Sequence, residues 1–220
     1  MRVFKKFLPS SNIYLLTLKK HAVLFDTGDP HSKNLVLKFL RENMSDKKLL
    51  YIFITHFHWD HAGNVYLLKK IFSPFVVISN NEKEWAFKGY IDLPNPKGTL
   101  YSKILWNFLN FFSKFEKIKS FEPDKIVYNN EVINLDGFNI EIFQTPGHTP
   151  GSLTFKVNKY AFIGDTLLGP NIFLKRPRIS MFIHEREKIY KSIEFLKEID
   201  VDIYFPGHGM PFKKEDIYKL

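Results

Sequence analysis

The chain has 220 residues, of which 45% are hydrophobic and 25% are charged. These values exclude a disordered, collagen-like or coiled-coil protein and allow one large domain with its own core. Cysteine is absent, which excludes disulfides, thiolate metal sites and a cysteine nucleophile. No apolar run reaches the ~20 residues of a membrane span and no signal-peptide core is found, so we expect a cytoplasmic protein. The net charge of +9 favours anionic partners, although a lysine-rich composition accounts for it equally well.

Strand-like and helix-like segments alternate through the first 80 residues. Short β-rich runs, an N-cap followed by proline, and a near-continuous apolar run mark the individual elements. The predicted elements are a hairpin over residues 13–26, a helix from Asp29-Pro30 to about residue 42, a strand over residues 50–55, a helix over residues 64–72 and a strand over residues 75–78.

The second half of the chain is rich in β-type segments. The predicted strands cover residues 126–128, 131–135, 138–143, 152–157, 160–163 and 201–205. Residues 185–199 have the apolar spacing of an amphipathic helix. Because each half holds strands followed by helices, the pattern predicts a layered α/β sandwich formed by a single domain over residues 1–220.

Residues 85–121 interrupt the strand pattern and predict a helical insertion in this domain. Within them, residues 101–119 carry an apolar stripe at helical spacing, formed by Ile104, Leu105, Phe108, Leu109, Phe111, Phe112 and Phe115. Such a helix could pack on the sandwich, form one wall of a substrate pocket, or join two copies of the chain in a homodimer. The sequence leaves these three alternatives open.

Three of the eight histidines lie within one six-residue segment, directly after the predicted strand at residues 50–55. His56 and His58 are two residues apart, so both rings point to the same side of an extended chain. Asp60 and His61 follow where the chain turns toward the next helix. Imidazole and carboxylate ligands without thiolates suit zinc, iron, manganese or cobalt. This spacing predicts a metal site on a loop held by a rigid strand.

Three further residues of ligand type lie beside glycine near the ends of predicted strands. They are His148, Asp165 and His208. Glycine permits the tight turns and close backbone approach that such positions require. Each position alone says little, but four such strand ends in one chain predict a shared site.

The order of these residues resembles the full ligand set of the metallo-β-lactamase superfamily: His56-x-His58-x-Asp60-His61, then His148, Asp165 and His208. The resemblance extends from residue 12 to about residue 211. It is nearest to the glyoxalase II-like branch, in which Thr-Pro-Gly-His-Thr-Pro-Gly-Ser and a late Gly-His-Gly are usual. The sequence ends about a dozen residues after His208. We therefore do not expect the helical C-terminal domain of glyoxalase II, and the glutathione thioester is not assigned as substrate.

The resemblance implies an α/β fold, the four-layer αββα sandwich, with metals at one edge of its two sheets. It also implies two divalent ions, with Zn²⁺ as the expected metal and Fe or Mn as alternatives. The implied ligands are His56, His58 and His148 for the first ion and Asp60, His61 and His208 for the second, with Asp165 as the bridge.

A hydroxide that bridges two such ions is the predicted nucleophile, because a divalent ion lowers the pKa of bound water to about 7. It would attack a small, anionic, ester-like substrate such as a thioester or lactone. Asp60 is the predicted catalytic residue, which orients the water or moves its proton. Asp26 is a candidate partner of a histidine ligand. The basic residues Lys175, Arg176 and Arg178 are predicted to bind the substrate anion, because they follow a strand that ends beside the metals.

Two other functions stay open on the same ligand set. Iron would permit redox work on persulfides or oxygen, and the charge of +9 would suit a nucleic-acid phosphodiesterase. The complete ligand set disfavours a mononuclear iron site, and a flavodoxin-like domain of the diiron reductases is not found. No added nucleic-acid module is found either, so the expected partner is a small molecule, without nucleic acid or a membrane.

Overall fold

The computed structural model describes residues 1–91, 118–180 and 182–220. Within them, the strands of the N-terminal part pair into one six-stranded sheet in sequence order. They are β1 (Arg2–Phe7), β2 (Asn12–Thr17), β3 (His21–Phe25), β4 (Lys48–Phe53), β5 (Phe75–Ser79) and β6 (Lys125–Val127). Pairing is antiparallel from β1 to β3, whereas β3, β4, β5 and β6 run parallel.

Helices occupy the connections of the parallel part, because parallel strands need crossovers instead of tight turns. They are α1 (Lys33–Met44) between β3 and β4, α2 (Trp59–Ala62) and α3 (Val65–Phe72) between β4 and β5, and α4 (Lys83–Lys88) after β5. A 3₁₀ turn precedes α1, and its N-cap is Asp29, whose carboxylate accepts hydrogen bonds from the main-chain N–H groups of His31 and Ser32. The predicted helix start at Asp29-Pro30 is confirmed.

The C-terminal part forms a second six-stranded sheet. Its strands are β7 (Glu131–Leu135), β8 (Phe138–Gln144), β9 (Leu153–Val157), β10 (Tyr160–Gly164), β11 (Ile203–Pro206) and β12 (Phe212–Lys213). Neighbouring strands are antiparallel except for β10 and β11. These two run parallel, and α5 (Arg186–Glu198) lies in the connection between them.

The two sheets face each other across an aromatic core. Alternate residues of a strand point to opposite faces, so Leu16 of β2 lies in the core between the sheets while Leu15 lies in the core under the helices. Phe25 of β3 stacks on Phe162 of β10, with ring centroids 3.7 Å apart. This contact joins the two halves of the chain directly below the edge where β3 and β10 end.

Helices cover the outer face of each sheet. Val36 and Leu40 of α1 pack with Ile52 of β4 against the first sheet. Ile189 and Leu196 of α5 belong to the core on the outer face of the second sheet. The layers therefore follow the order helix, sheet, sheet, helix, and the predicted αββα sandwich is confirmed.

Each predicted strand and helix outside the insertion has a counterpart in the structure, with bounds that differ by no more than two residues. The strands β1 and β12 and the short helix α2 have no predicted counterpart, and α4 overlaps the start of the predicted insertion. In β1 the alternation is broken by Lys5-Lys6, which suits an exposed edge strand better than a half-buried one.

The predicted insertion falls largely outside the described residues, which include only 85–91 and 118–121 of its length. Of these, Ile118 and Phe121 are buried in the core of the first sheet. The predicted helix over residues 101–119 lies outside the described residues except for its last two positions. Among the helices that are described, none is long and apolar enough to cross a membrane.

Candidate metal centre

Polar side chains from several strand ends meet at one edge of the two sheets. They come from the loops that follow β4, β8, β10 and β11. All seven ligand-type residues predicted from the sequence lie together there, in overlapping groups whose donor atoms are within 4.8 Å of one another. The residues are His56, His58, Asp60, His61, His148, Asp165 and His208.

His56, His58 and His148 form what we call the first cluster. Nδ1 of His58 lies 2.9 Å from Nε2 of His56 and 3.1 Å from Nε2 of His148. On the other side of its ring, His148 Nδ1 lies 2.6 Å from the main-chain carbonyl oxygen of Phe182. A carbonyl only accepts, so this Nδ1 carries the ring proton and Nε2 of His148 keeps its lone pair.

The same reasoning gives the tautomer of His56. Its Nδ1 lies 3.1 Å from the hydroxyl oxygen of Thr55, and that hydroxyl donates to the Asp26 carboxylate at 2.8 Å. The hydroxyl oxygen therefore accepts from His56, and Nε2 of His56 keeps its lone pair. His58 Nδ1 can donate a proton to only one of the two Nε2 atoms that face it. The three nitrogens of the first cluster therefore suit a metal ion better than a shared proton.

Burial keeps the first cluster uncharged. It lowers the pKa of His56 well below the usual value, the pKa of His58 to about 3, and the pKa of His148. Neighbouring imidazoles lower the pKa of His56 and His58 further. Three neutral rings present lone pairs near pH 7 without competition from protons.

Asp60, His61 and His208 form the second cluster. One carboxylate oxygen of Asp60 lies 3.4 Å from Nε2 of His208 and 3.7 Å from Nε2 of His61. Asp165 lies between the two clusters, with carboxylate oxygens 3.6 Å from Nε2 of His61, 3.2 Å from Nε2 of His208 and 3.7 Å from Nε2 of His148. This position faces both clusters at once.

In the second cluster, carboxylates raise the proton affinity of the histidines. Burial lowers the pKa of His61, but the negative charges of Asp60, Asp26 and Asp165 outweigh it and raise that pKa to about 9. In His208, Asp165 and Asp60 likewise outweigh burial and raise the pKa to about 10. The effect is mutual: burial raises the pKa of Asp60 and Asp165, but the charge of His61 outweighs it, so both pKa values lie below the usual range.

Asp26 is the predicted partner of a histidine of the motif, and this contact is confirmed. Its carboxylate accepts from Nδ1 of His61 at 2.8 Å and from the main-chain N–H of Thr55 at 2.8 Å. Asp26 has a φ of +58°, in the left-handed region that Asp tolerates better than most residues. Through this contact Asp26 orients His61 so that Nε2 points toward Asp60 and Asp165.

The loop that carries His208 is held by close packing and by a residue that sequence reasoning missed. A Cβ atom at Gly207 would lie 2.2 Å from Oδ1 of Asp165, so only glycine permits this approach. The side-chain amide of Asn12, buried at the start of β2, donates to the carbonyl oxygen of Gly209 at 2.7 Å. No sequence motif identifies a single asparagine in a strand as a residue that supports a distant loop.

Glu82 is a second residue that sequence reasoning missed. It follows β5 and is fully buried. Its carboxylate accepts hydrogen bonds from Phe57, Thr149 and Gly151. Burial raises its pKa to about 7. One glutamate after a strand carries no signal in the sequence, because its partners lie far away along the chain.

Two unpaired polar atoms test whether the residues fit metal ions. Within the described chain, His61 Nε2 and Asp165 Oδ1 are buried without a hydrogen-bond partner, and they face each other at 3.6 Å. A buried polar group without a partner is costly. A cation between them would satisfy both, and the nitrogen and oxygen donors around them are those that divalent transition metals accept. The residues therefore fit the implied ions.

The predicted substrate contacts lie on the loop after β10. Lys175 and Arg176 are exposed there. The guanidinium group of Arg178 donates to the carbonyl oxygen of Gly169 at 3.2 Å, and the N–H of Gly169 donates to the carbonyl oxygen of His208 at 2.7 Å. Arg178 is thus linked through one residue to the second cluster.

Comparison with known proteins identifies the family of the chain. Residues 8–208 match the family model described as the metallo-beta-lactamase superfamily. The hydroxyacylglutathione hydrolase GloC of Haemophilus influenzae is 30% identical over 87% of this chain and 81% of its own length. A probable metallo-hydrolase of Methanocaldococcus jannaschii is 27% identical over 91% and 88%.

Two more distant matches agree with these. The acyl-coenzyme A thioesterase MBLAC2 of Bos taurus is 24% identical over 96% of this chain and 77% of its own length. The crystal structure of the B3 metallo-beta-lactamase BLEG-1 has the same fold, with a TM-score of 0.75 at 22% identity, over 100% of this chain and 97% of that chain. The chain belongs to the metallo-beta-lactamase superfamily of metal-dependent hydrolases.

Proposed function

We propose that the protein is a dinuclear metallo-hydrolase that cleaves a small anionic thioester. The first cluster would hold one divalent ion, the second cluster the other, and Asp165 would bridge them. The observation that carries this proposal is the convergence of seven donor side chains around two buried, unpaired atoms, His61 Nε2 and Asp165 Oδ1. One ion of four or five ligands cannot use so many donors.

The proposed metal is zinc, with iron or manganese as alternatives, because neutral imidazoles and carboxylates are ligands for all three. When bound, two such ions lower the pKa of water and polarise the carbonyl oxygen of a substrate. The protein contributes a rigid frame of strand ends. Five of the seven donor residues are almost fully buried: His56, Asp60, His61, His148 and Asp165.

Asp60 is the proposed catalytic residue. The charge of His61 outweighs burial and lowers its pKa, so its carboxylate stays ionised at neutral pH. One of its oxygens faces His61 and His208, and the main-chain carbonyl of Asp60 accepts a hydrogen bond from the Ser11 hydroxyl at 2.5 Å. An ionised carboxylate held in this way can orient a water molecule and accept its proton.

The thioester is proposed from the relatives and from charge. The names of two relatives denote hydrolysis of hydroxyacylglutathione and of acyl-coenzyme A. The glutathione and coenzyme A parts of these thioesters are anionic, because they carry carboxylate and phosphate groups. Arg178 is linked through Gly169 to the loop of His208, Lys175 and Arg176 are exposed on the same loop, and the chain carries a charge of +9. Such a field attracts anions and weakens as salt is added.

Metal analysis followed by a substrate panel on the same sample tests the proposal. We expect two zinc ions per chain and faster turnover of anionic thioesters than of lactones or phosphodiesters. The His58→Gln variant should lose one ion and its activity, whereas His21→Gln, the same change in a residue that pairs with Asp136 at 2.9 Å, should keep both.

Three results would contradict the proposal. One is an absorption spectrum typical of iron together with redox turnover. Another is a preference for phosphodiesters with salt-sensitive binding of nucleic acid. The third is a single bound ion in the presence of excess zinc.

A further inference from the structure

Outside the ligand set, Glu82 is a buried ionisable group whose contacts reach both loops of the first cluster. It closes the 3₁₀ turn Asn80–Glu82 after β5, and its exposed fraction is 0%. Burying a carboxylate is unfavourable unless hydrogen-bond donors surround it. An apolar side chain of similar size would fill the same space without that cost, so the contacts of the carboxylate are what distinguishes Glu82 from a packing residue.

The two carboxylate oxygens bind different parts of the chain. Oε2 accepts from the main-chain N–H of Phe57 at 2.6 Å. Oε1 accepts from the hydroxyl of Thr149 and from the main-chain N–H of Gly151 at 3.2 Å. The Thr149 hydroxyl also contacts the Ser152 hydroxyl at 2.7 Å. That hydroxyl can donate to Thr149, which leaves the Thr149 proton for Glu82.

These partners are the immediate neighbours of the first cluster. Phe57 lies between His56 and His58, and Thr149 directly follows His148. One carboxylate therefore ties the loop after β4 to the loop after β8, and the rings that those loops carry meet at 3.1 Å between His58 Nδ1 and His148 Nε2.

The loop after β8 packs closely against Glu82 at Gly151. A Cβ atom at Gly151 would lie 2.6 Å from Cγ of Glu82 and 2.9 Å from Cβ of Ser79. The main chain of Gly151 thus rests directly on the stem of the glutamate. That contact, and not a positive φ, accounts for the glycine at this position of the loop.

We propose that Glu82 is a positioning residue for the first metal ion: by joining the two loops, it sets the spacing between His58 and His148. This inference rests on the proposed function only in that the first cluster binds a metal. Glu82 is not a ligand and does not touch the reacting atoms. Groups that orient metal ligands in this way typically change metal affinity 10–100-fold when they are altered.

The test measures zinc affinity by competition with a chelator, together with the thermal unfolding of the chelated protein. In Glu82→Gln, an amide NH₂ must face either the Phe57 N–H or the donors of Thr149 and Gly151, so one side of the bridge fails. We expect the affinity for the tighter zinc ion to fall by about 10–100-fold.

Asp136→Asn is the matched control. The Asp136 carboxylate also joins two parts of the chain, because it accepts from the main-chain N–H groups of Lys20 and His21, but it lies at the turn between β7 and β8. Its amide variant should lower thermal stability and leave zinc affinity unchanged.

A second pair of variants keeps the test valid if Glu82→Gln does not fold. Thr149→Val removes one donor to Glu82 without changing the side-chain shape, whereas Thr149→Ser keeps the hydroxyl. We expect a larger loss of zinc affinity in the valine variant than in the serine variant.

Unchanged zinc affinity in Glu82→Gln and in Thr149→Val, with only lower thermal stability, would overturn the inference and leave the proposed function standing. Wild-type protein that binds no zinc would overturn both. Wild-type protein that binds two zinc ions but hydrolyses nothing would contradict the proposed function alone, because metal affinity is read without turnover.

Discussion

The first cluster consists of three imidazoles whose ring nitrogens approach to about 3 Å, whereas the second combines two imidazoles with a carboxylate and faces another. Burial dominates in the first, and the pKa values of its histidines fall. Carboxylate charge dominates in the second, and the pKa values of His61 and His208 rise to about 9 and about 10. Near neutral pH, the histidines of the first cluster are therefore neutral, whereas those of the second cluster are protonated.

The difference shows how one fold prepares two clusters of ligand-type residues with unlike protonation. Without metal, the first cluster presents free lone pairs near neutral pH, while in the second His61 and His208 are protonated and balance the charge of the carboxylates. A metal that enters the first cluster has little to displace, but a metal that enters the second must displace protons. The following predictions test this contrast.

The largest expected effect is the loss of turnover when a residue of the second cluster, Asp60, is changed. Replacement of Asp60 by Asn keeps the shape of the side chain and removes its charge, so we expect kcat to fall by about 10²–10⁴-fold. Asp46→Asn, the same change at an exposed turn, serves as control. Turnover close to wild type in an Asp60→Asn variant that retains both metals would contradict the assigned role.

The next effect is on the affinity for the second ion. With His61 and His208 protonated in the metal-free protein at neutral pH, the second equivalent of zinc should release two protons and its affinity should rise by about a hundred-fold per pH unit up to about pH 9. The affinity for the first equivalent of zinc should depend much less on pH. Calorimetric titration in buffers of different ionisation enthalpy measures both. Equal proton release in the two steps would show that the contrast is wrong.

The stability of the chelated protein should show a smaller effect of the same origin. The raised pKa values of His61 and His208 contribute stability that is fully present below pH 6.5 and is lost as the pH rises through about 9 to 10. We expect the unfolding temperature to fall in that window, by about 2–4 °C for each kcal/mol lost. The fall should be smaller in His208→Gln. An identical alkaline profile in that variant would exclude His208 as a source.

The smallest effect concerns the exposed charges of the loop after β10. Lys175→Glu should lower kcat/KM for an anionic thioester a few-fold at low salt, and the difference should vanish at high salt because exposed charges are screened. Lys19→Glu makes the same change in the turn between β2 and β3 and should have no effect. Equal kcat/KM values for matched neutral and anionic substrates in the wild type would contradict the steering role.

Sequence reasoning went furthest where local chemistry decides the structure. The strand at residues 50–55 was recognisable from its apolar run, and the helix start at Asp29-Pro30 from its cap. His56 and His58 were recognisable as a pair of metal ligands, because a spacing of two residues puts both rings on one side of an extended chain. Asp26 was a candidate partner of a histidine of the motif, and the structure shows which histidine it contacts.

Other features depend on residues that are distant in the chain. Asn12 reaches the loop of His208, and Glu82 reaches Thr149, across separations that no local pattern encodes. The edge strand β1 escaped prediction because half-exposed strands lack a clear alternation of apolar residues.

The sequence by itself determined which atoms are available to bind metal and in which order they occur, because ligand chemistry and strand periodicity are properties of residue types. Only the tertiary structure decided which ligands share a cluster and which of them hold protons. The reason is that proton affinity depends on burial and on neighbouring charges. His58 and His61 are three residues apart and of the same type, yet their pKa values lie near 3 and near 9, because one is buried among imidazoles and the other among carboxylates.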